Sequence, residues 1–186
     1  MNKLAIYKGK GRGAGKYGAI QFEPTVARAT CEVCKKTYYQ DAGQEIPRTC
    51  CDRILRFSER KIIINAAAST KADTYDWDNK IVFALGLVDI GKIKELLIDG
   101  GISTSAGKKN ELELFHDPGA ATSKRGKVTK TMKVSIPKPR SGAIVTMTER
   151  EQGKDPKRVT VPLSRSEVLN LLHLLVWFTP HALNWA

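Results

Sequence analysis

Apolar side chains along much of this chain recur at every second position, or in runs too short for a helix, and such stretches read as strands. Leu4-Ala5-Ile6-Tyr7 comes first, then Ala19-Ile20-Gln21-Phe22, which Pro24 stops. Residues 53–58 are partly apolar, 61–66 are rich in isoleucine, and 77–87 form another apolar run. In 111–116, Leu112 and Leu114 share one face, with Glu111, Glu113 and Phe115 on the other. In 127–136, Val128, Met132, Val134 and Ile136 share a face interrupted by Lys130, and Lys127, Thr129, Thr131, Lys133 and Ser135 line the opposite one. Residues 143–148 and 158–161 complete the strands. Two helices punctuate them. Asp89 can cap the first, which carries Ile90, Ile93, Leu96 and Leu97 and is closed by Gly100-Gly101. Ser164 with Glu167 three residues on is a capping box opening the second, which Pro180 ends or kinks. The predicted order of about four strands, a helix, about four strands and a helix is an α+β architecture with the look of an internal duplication. Element order carries that reading; no sequence repeat supports it.

The second helix is apolar nearly all round: Val168, Leu169, Leu171, Leu172, Leu174, Leu175, Val176, Trp177 and Phe178. Such a helix has to be covered on every side. Either it is wedged between two sheets of one chain, or one face meets another subunit and the protein is a homo-oligomer.

Length and composition narrow the class. The chain has 186 residues and 41% hydrophobic content, which suits a single domain over 1–186 and excludes a disordered basic tail. The start, MNKLAIYKGK, lacks the apolar run of a secretory signal. The most apolar stretch, 171–178, falls far short of the roughly 20 residues that span a bilayer. The expectation is a soluble intracellular protein with no membrane partner. Its formal charge is +12, which points to a polyanion as partner. That charge is uneven, at +6 over residues 1–60, +1 over 61–110 and +5 over 111–186. Lys124, Arg125, Lys127, Lys130, Lys133, Lys138 and Arg140 occur between Asp117 and Glu149 without an acid among them. Lys3, Lys8, Lys10, Arg12 and Lys16 precede the first acid, Glu23. Two basic segments flanking a near-neutral middle read as a binding surface built from two parts of the chain.

The chemistry concentrates in LAIYKGKGRGAGKYGAIQFEP. Its glycines let backbone approach a ligand closely, Lys8, Lys10, Arg12 and Lys16 interleave with them, and Tyr7, Tyr17 and Phe22 supply rings. Basic side chains hold phosphates and rings stack unpaired bases, at roughly 1–3 kcal/mol each. The stretch is not a phosphate-binding loop of the Gly-Lys-Ser/Thr kind, nor a dinucleotide fingerprint. Tyr75 and Trp77 either stack bases or pack the core, and Lys80 lies beside them. Asp76 and Asp78 lack the further carboxylates a metal-dependent nuclease needs, and His116 and His173 lack catalytic partners. No catalytic residues are expected. A binding protein rather than an enzyme follows.

Cys31-x-x-Cys34 followed by Cys50-Cys51 has the spacing of a zinc site. Neighbouring cysteine side chains tend to diverge, so the readings are four thiolates around zinc if the backbone turns sharply, three thiolates plus another ligand, or paired or inert thiols. The ion would be structural, folding an excursion over 31–51 too small for its own core. Lys35, Lys36, Tyr38 and Tyr39 within it could extend the nucleic-acid surface.

Several blocks together resemble the Whirly family. Tyr7-Lys8-Gly9-Lys10-Gly11 followed by Ala19-Ile20-Gln21-Phe22 is similar to its Lys-Gly-Lys motif, interrupted by an insertion. Residues 75–85, YDWDNKIVFAL, resemble its Tyr-Asp-Trp strand, and 88–91, VDIG, the helix start that follows. Residues 115–118, 127–133 and 180–185 resemble its second half. The cysteine excursion stands where the family has an ordinary loop. The resemblance implies two packed antiparallel four-stranded sheets with two helices, a tetramer, and binding of single-stranded DNA with little sequence preference. Strand protection in replication, recombination or repair would be its use, with RNA binding or a structural place in a ribonucleoprotein as the alternatives. Plant organellar members carry a transit extension, so a bacterial or phage-infected cytoplasm, or a processed organellar form, fits this beginning.

Overall fold

A computed structural model describes residues 3–8, 17–39, 47–71, 74–102, 110–116, 128–137 and 141–183. The chain opens with β1 (Leu4–Tyr7) and β2 (Gly18–Pro24). A small module follows: β3 (Arg28–Thr30), β4 (Thr37–Tyr39), β5 (Thr49–Cys50), β6 (Arg53–Ile54) and β7 (Arg56–Ser58). Then come β8 (Ile62–Lys71), β9 (Thr74–Tyr75), β10 (Ile81–Leu85) and helix α1 (Leu87–Ile102). The second half is β11 (Glu111–His116), β12 (Val128–Ser135), β13 (Ala143–Glu151), β14 (Lys157–Leu163) and helix α2 (Arg165–Ala182).

Pairing is antiparallel throughout. The first sheet runs β1-β2-β8-β10 with β9 on the end of β8, and the second runs β11-β12-β13-β14. Each meander is followed by a helix, so the α+β order expected from sequence is the architecture found. Strand alternation turns Ile6, Ile20, Phe22, Ile62, Ile64, Ile81, Phe83 and Leu85 of the first sheet into the same core as Met132, Val134, Val145, Met147, Val159 and Val161 of the second. Ile90, Ile93 and Leu97 of α1 and Leu171, Leu175 and Phe178 of α2 complete it.

Residues 53–58 are not a strand of the main sheet. They form β6 and β7 of the module, where β7 pairs with β3 and β6 with β5. The excursion expected at 31–51 therefore sits inside a larger unit from Arg28 to Ser58. Its neck is hydrogen-bonded: the Thr25 N–H donates to the Lys61 carbonyl at 2.8 Å, and the Lys61 N–H donates to Thr25 Oγ1 at 2.9 Å. Trp77 precedes its strand rather than beginning it, in a turn where the Asp76 carboxylate accepts from the Asn79 backbone at 3.1 Å and from the Asn79 amide.

The helices match their signals with shifted ends. Helix α1 starts at Leu87, and the Asp89 carboxylate sits inside its first turn, accepting from the Gly86 N–H at 3.2 Å. It runs through Gly100-Gly101 to Ile102. The α2 capping box forms as expected, with Glu167 accepting from the Ser164 N–H at 2.7 Å. Pro180 lies inside α2 rather than ending it, because so close to the C-terminus it forfeits one backbone bond. Helix α2 is not covered on all sides within the chain. Val168, Leu171, Leu175 and Phe178 are buried, while Leu169, Val176 and Trp177 are 43–49% exposed.

Gly18 is hemmed in from both sheets: a Cβ there would strike the Ala67 carbonyl of β8 and the Val159 side chain of β14. Gly18→Ala is expected to destabilise the fold by about 1–3 kcal/mol through overpacking, read as a lowered urea midpoint with unchanged slope. An unchanged midpoint would show that the seam is looser than it looks.

Candidate nucleic-acid interface

On the face of the first sheet turned away from the core, register puts Tyr7 opposite Ala19 and Ala19 opposite Ala67. Both alanines are fully buried yet belong to no core cluster. Three rings gather over this part of the sheet. Tyr7 lies 5.6 Å from Tyr75 and 6.4 Å from Trp77 between centroids, and Tyr75 lies 6.4 Å from Trp77. Tyr75 arrives through the β8–β9 pairing opposite Ser69, at an irregularity in register. The Asp76 N–H donating to the Ala68 carbonyl at 2.9 Å fixes the turn that presents Trp77. Gln21 donates to the Tyr7 hydroxyl at 3.1 Å. Tyr7 is 52% exposed and the other two rings half-buried, so ring faces and edges meet solvent together. Tyr7 and Gln21 complete this surface; their odd positions on alternating strands were the signal for them.

The remaining sequence candidates divide. Phe22 has the opposite parity to Tyr7 and is fully buried in the core, so it offers no face to a base. Lys8 is half-buried, and its ammonium donates to both Glu167 oxygens at 2.7 and 2.5 Å. A phosphate at Lys8 has to compete with that carboxylate. Lys130 lies on the inner side of β12, donating to the Val82 carbonyl at 2.9 Å and pairing with Glu149 at 3.1 Å, so it links the two sheets. Lys133 lies on the outer side, with Glu111 at 2.5 Å in a half-exposed pair. Surface pairs of this kind are worth little and exchange readily. Lys80 is exposed next to the Asp76–Asn79 turn. Tyr17 lines a crevice of about 190 Å³ with Gly18, Ala68, Ser69, Arg158, Val159 and Thr160, where the sheets meet. Arg158 adds a cation there that its strand position alone did not single out. Lys10, Arg12, Lys16 and Lys127 lie outside the described residues.

The cysteines converge. Their sulfurs all lie within 4.8 Å of one another, with Cys34 to Cys50 at 3.6 Å and Cys50 to Cys51 at 3.8 Å. Four thiolates about 2.3 Å from one tetrahedral ion stand roughly 3.8 Å apart, so the spacing fits. The turn after Cys31 is closed by the Lys35 N–H donating to the Cys31 carbonyl at 3.0 Å, with Lys35 at φ 61°. Cys51 and Asp52 are also left-handed, at φ 51° and 55°. That sharp turn brings two adjacent thiols to one side. Tyr38 donates to Cys50 Sγ at 3.2 Å; that bond, with burial and the nearby sulfurs, pushes the phenol up to about 12. The Cys34 N–H draws the Cys31 thiol down to about 7 against the effect of burial, while Cys34 and Cys50 push Cys51 up to about 12. Four such groups can hold a metal ion.

Fold and surface define a basic protein of twin four-stranded meanders, with aromatic rings massed on one outer face and a four-cysteine module at one end. The profile of the family described as "Whirly transcription factor" matches residues 54–174, and the chain belongs to that family. It is 27% identical over 128 residues to the chloroplastic single-stranded DNA-binding protein WHY1 of Solanum tuberosum, covering 68% of this chain and 43% of that one. It is 27% identical over 112 residues to the mitochondrial single-stranded DNA-binding protein WHY2 of Arabidopsis thaliana, covering 60% and 43%. The chain thus spans less than half the length of these relatives. The crystal structure of WHY3 from Arabidopsis thaliana superimposes with a TM-score of 0.67 at 21% identity, covering 100% of this chain and 90% of that one. No helix among the described residues is long and apolar enough to cross a membrane.

Burial alone would raise the Glu167 carboxyl, but Lys8 and the Ser164 N–H and hydroxyl outweigh it and hold it below the usual carboxylate range. A depressed folded value means stability that is present above the unfolded carboxylate pKa and lost as pH falls through the folded one. Glu167→Gln should therefore cost stability at neutral pH, with the gap to wild type closing on acidification. Urea titrations at a series of pH values check this, and a gap independent of pH would count against it.

Proposed function

We propose that this protein binds single-stranded DNA with little sequence preference and protects or organises it in replication, recombination or repair, as a binding protein without catalysis. The observation that carries this reading is the Tyr7–Tyr75–Trp77 cluster on the outer face of the first sheet. Every base has a π face, so such a surface accepts any unpaired base and rejects stacked ones. The names of the WHY relatives support the ligand. Lys8, Lys10, Arg12, Lys16, Lys80, Lys127 and Lys133 are assigned to the phosphates, with Tyr17 beside them. Lys8 acts once it exchanges Glu167 for phosphate. The exposed stripe of Leu169, Val176 and Trp177 on α2 is assigned to contact with further copies of the chain, in a homotetramer. The chloroplastic and mitochondrial relatives support an organellar matrix.

The cysteine cluster is assigned to one structural zinc ion held by Cys31, Cys34, Cys50 and Cys51. The module's own core is small, built on Ala29, Cys31 and Leu55, and an ion supplies the stability such a core lacks.

Tyr75→Ala and Trp77→Ala should each weaken binding to oligothymidylate about 5- to 150-fold, for roughly 1–3 kcal/mol per ring. Wild-type affinity should fall by about 0.7 log units per log unit of salt for each phosphate neutralised. Fluorescence anisotropy against matched RNA and duplex competitors reads both, and light scattering on the same samples reads the assembly mass. Preference for duplex, or full binding by both variants, would overturn the assignment. Elemental analysis should find one zinc per chain, lost in Cys31→Ser and Cys34→Ser; a metal-free wild type folded at the module would refute the zinc site.

A further inference from the structure

Strand β14 is the edge of the second sheet, paired there with β13 alone, and side chains alternate along it. Val159 and Val161 face the shared core, which puts Arg158 and Thr160 on the outer side. Lys157 and Arg158, neighbours in sequence, are thereby parted. Lys157 turns to Glu149, at 3.9 Å, on the side where Glu149 also meets Lys130. Arg158 stands exposed opposite Thr148, and no carboxylate among the described residues engages it. Across from it, the end of β8 brings Ala68 and Ser69 and the start of β2 brings Tyr17 and Gly18. With Val159 and Thr160 they line the crevice of about 190 Å³ between the sheets, and Arg158 is the one charged residue among this lining. Thr160 Oγ1 lies 3.2 Å from Thr146 Oγ1; with Thr146 as donor, the Thr160 proton is free for an acceptor in the crevice. The segments that build this corner, residues 8–18, 68–76 and 154–160, hold eight basic and three acidic residues. That excess survives the pairing of Lys8 with Glu167 and of Lys157 with Glu149. The ring cluster begins at the crevice wall. Ser69 stands opposite Tyr75 in the β8–β9 pair, about 5 Å away between strands, and the Ala68 carbonyl accepts from the Asp76 N–H in the turn that presents Trp77.

We infer that this crevice is a phosphate subsite for single-stranded nucleic acid, in which the Arg158 guanidinium takes a phosphodiester of the strand whose bases lie on Tyr7, Tyr75 and Trp77. The inference rests on the ligand assigned above and carries it from the first sheet onto the second. A guanidinium presents two parallel N–H donors to the two free oxygens of a phosphodiester, and the Thr160 hydroxyl adds a third donor from the crevice wall. Arg158 differs in this from Lys8, which has to release Glu167 before it can take a phosphate. An unpaired cation in a crevice pays no such exchange. With the rings on one sheet and the guanidinium on the other, the bound strand crosses the seam between the sheets at this end.

The test uses the full chain. Arg158→Ala, Arg158→Lys and Arg150→Ala are titrated with an oligothymidylate the length of a single site, about 8 nucleotides, over a range of salt concentrations. Arg150 is an exposed cation on the same outer side of the second sheet, away from the crevice lining, and serves as the charge control. Arg158→Ala should bind about tenfold more weakly and lose about 0.7 log units from the salt slope. Arg158→Lys keeps the charge and should keep the slope, and Arg150→Ala should stay within about twofold of wild type. A bromouracil-substituted strand should crosslink to β14 in the wild type. Affinity of Arg158→Ala within about twofold of wild type, an equal loss in Arg150→Ala, or crosslinks confined to the first sheet overturns the inference. Weakened binding in Arg158→Ala with Tyr75→Ala and Trp77→Ala unaffected would sink the three-ring assignment and leave the crevice standing; the reverse pattern keeps the rings and removes the crevice.

Discussion

Two sheets share one apolar core, and side chains alternate along every strand; these two facts together decide what faces outward. Once Ile20 and Phe22 are committed to the core, Ala19 and Gln21 must look away from it, and so must Tyr7, which stands opposite Ala19. The small side chains of Ala19 and Ala67 leave room over which Tyr7, Tyr75 and Trp77 gather. The same parity splits the lysines of β12. Lys130 shares the inner side with Met132 and Val134 and reaches the first sheet's backbone at Val82, whereas Lys133 stays on the outer side. A charge in the amino-acid sequence is therefore not yet a charge on the surface.

Glu167 ties this arrangement to the nucleic-acid question. One carboxylate completes the α2 capping box through Ser164 and receives Lys8 from the end of β1, where the glycine-rich segment begins. The first lysine of the family motif is thereby held against the start of the helix whose far side exposes Leu169, Val176 and Trp177. Strand end and helix start are thereby joined through one carboxylate. On the proposed assignment, a phosphate at Lys8 would draw its ammonium away from the carboxylate that caps α2.

Much of this was legible in the sequence because it is local. The capping box of Ser164 and Glu167, the alternation of 111–116 and 127–136, and the two apolar helices follow from spacing alone. Residues 53–58 escaped because a short, partly apolar strand carries the same pattern in a main sheet as in a small module. Phe22 was drawn toward the ligand by its neighbours in the motif, although its parity with Ile20 already placed it inside. Lys130 was opaque in a different way. Its partners, Val82 and Glu149, sit on other strands, and no window of sequence contains that meeting. The ends of α1 and α2 moved because tertiary packing tolerates Gly100-Gly101 and Pro180 in a last turn that isolated propensity would end.

The module shows why an excursion of this size takes the form it does. About thirty residues between β2 and β8 cannot bury enough apolar surface to order themselves, and here the buried centre amounts to Ala29, Cys31 and Leu55 with Tyr38 and Cys50 against it. Three devices compensate. The Thr25–Lys61 bonds continue the parent strand pair into the neck. Left-handed backbone at Lys35, Cys51 and Asp52 brings four sulfurs together, close enough to hold a cation between them. Arg60, in the neck, donates to the His181 carbonyl at 2.6 Å, placing a positive charge at the C-terminal end of α2, where the helix dipole favours it. The excursion is thus fastened at its base both to the sheet and to the long helix.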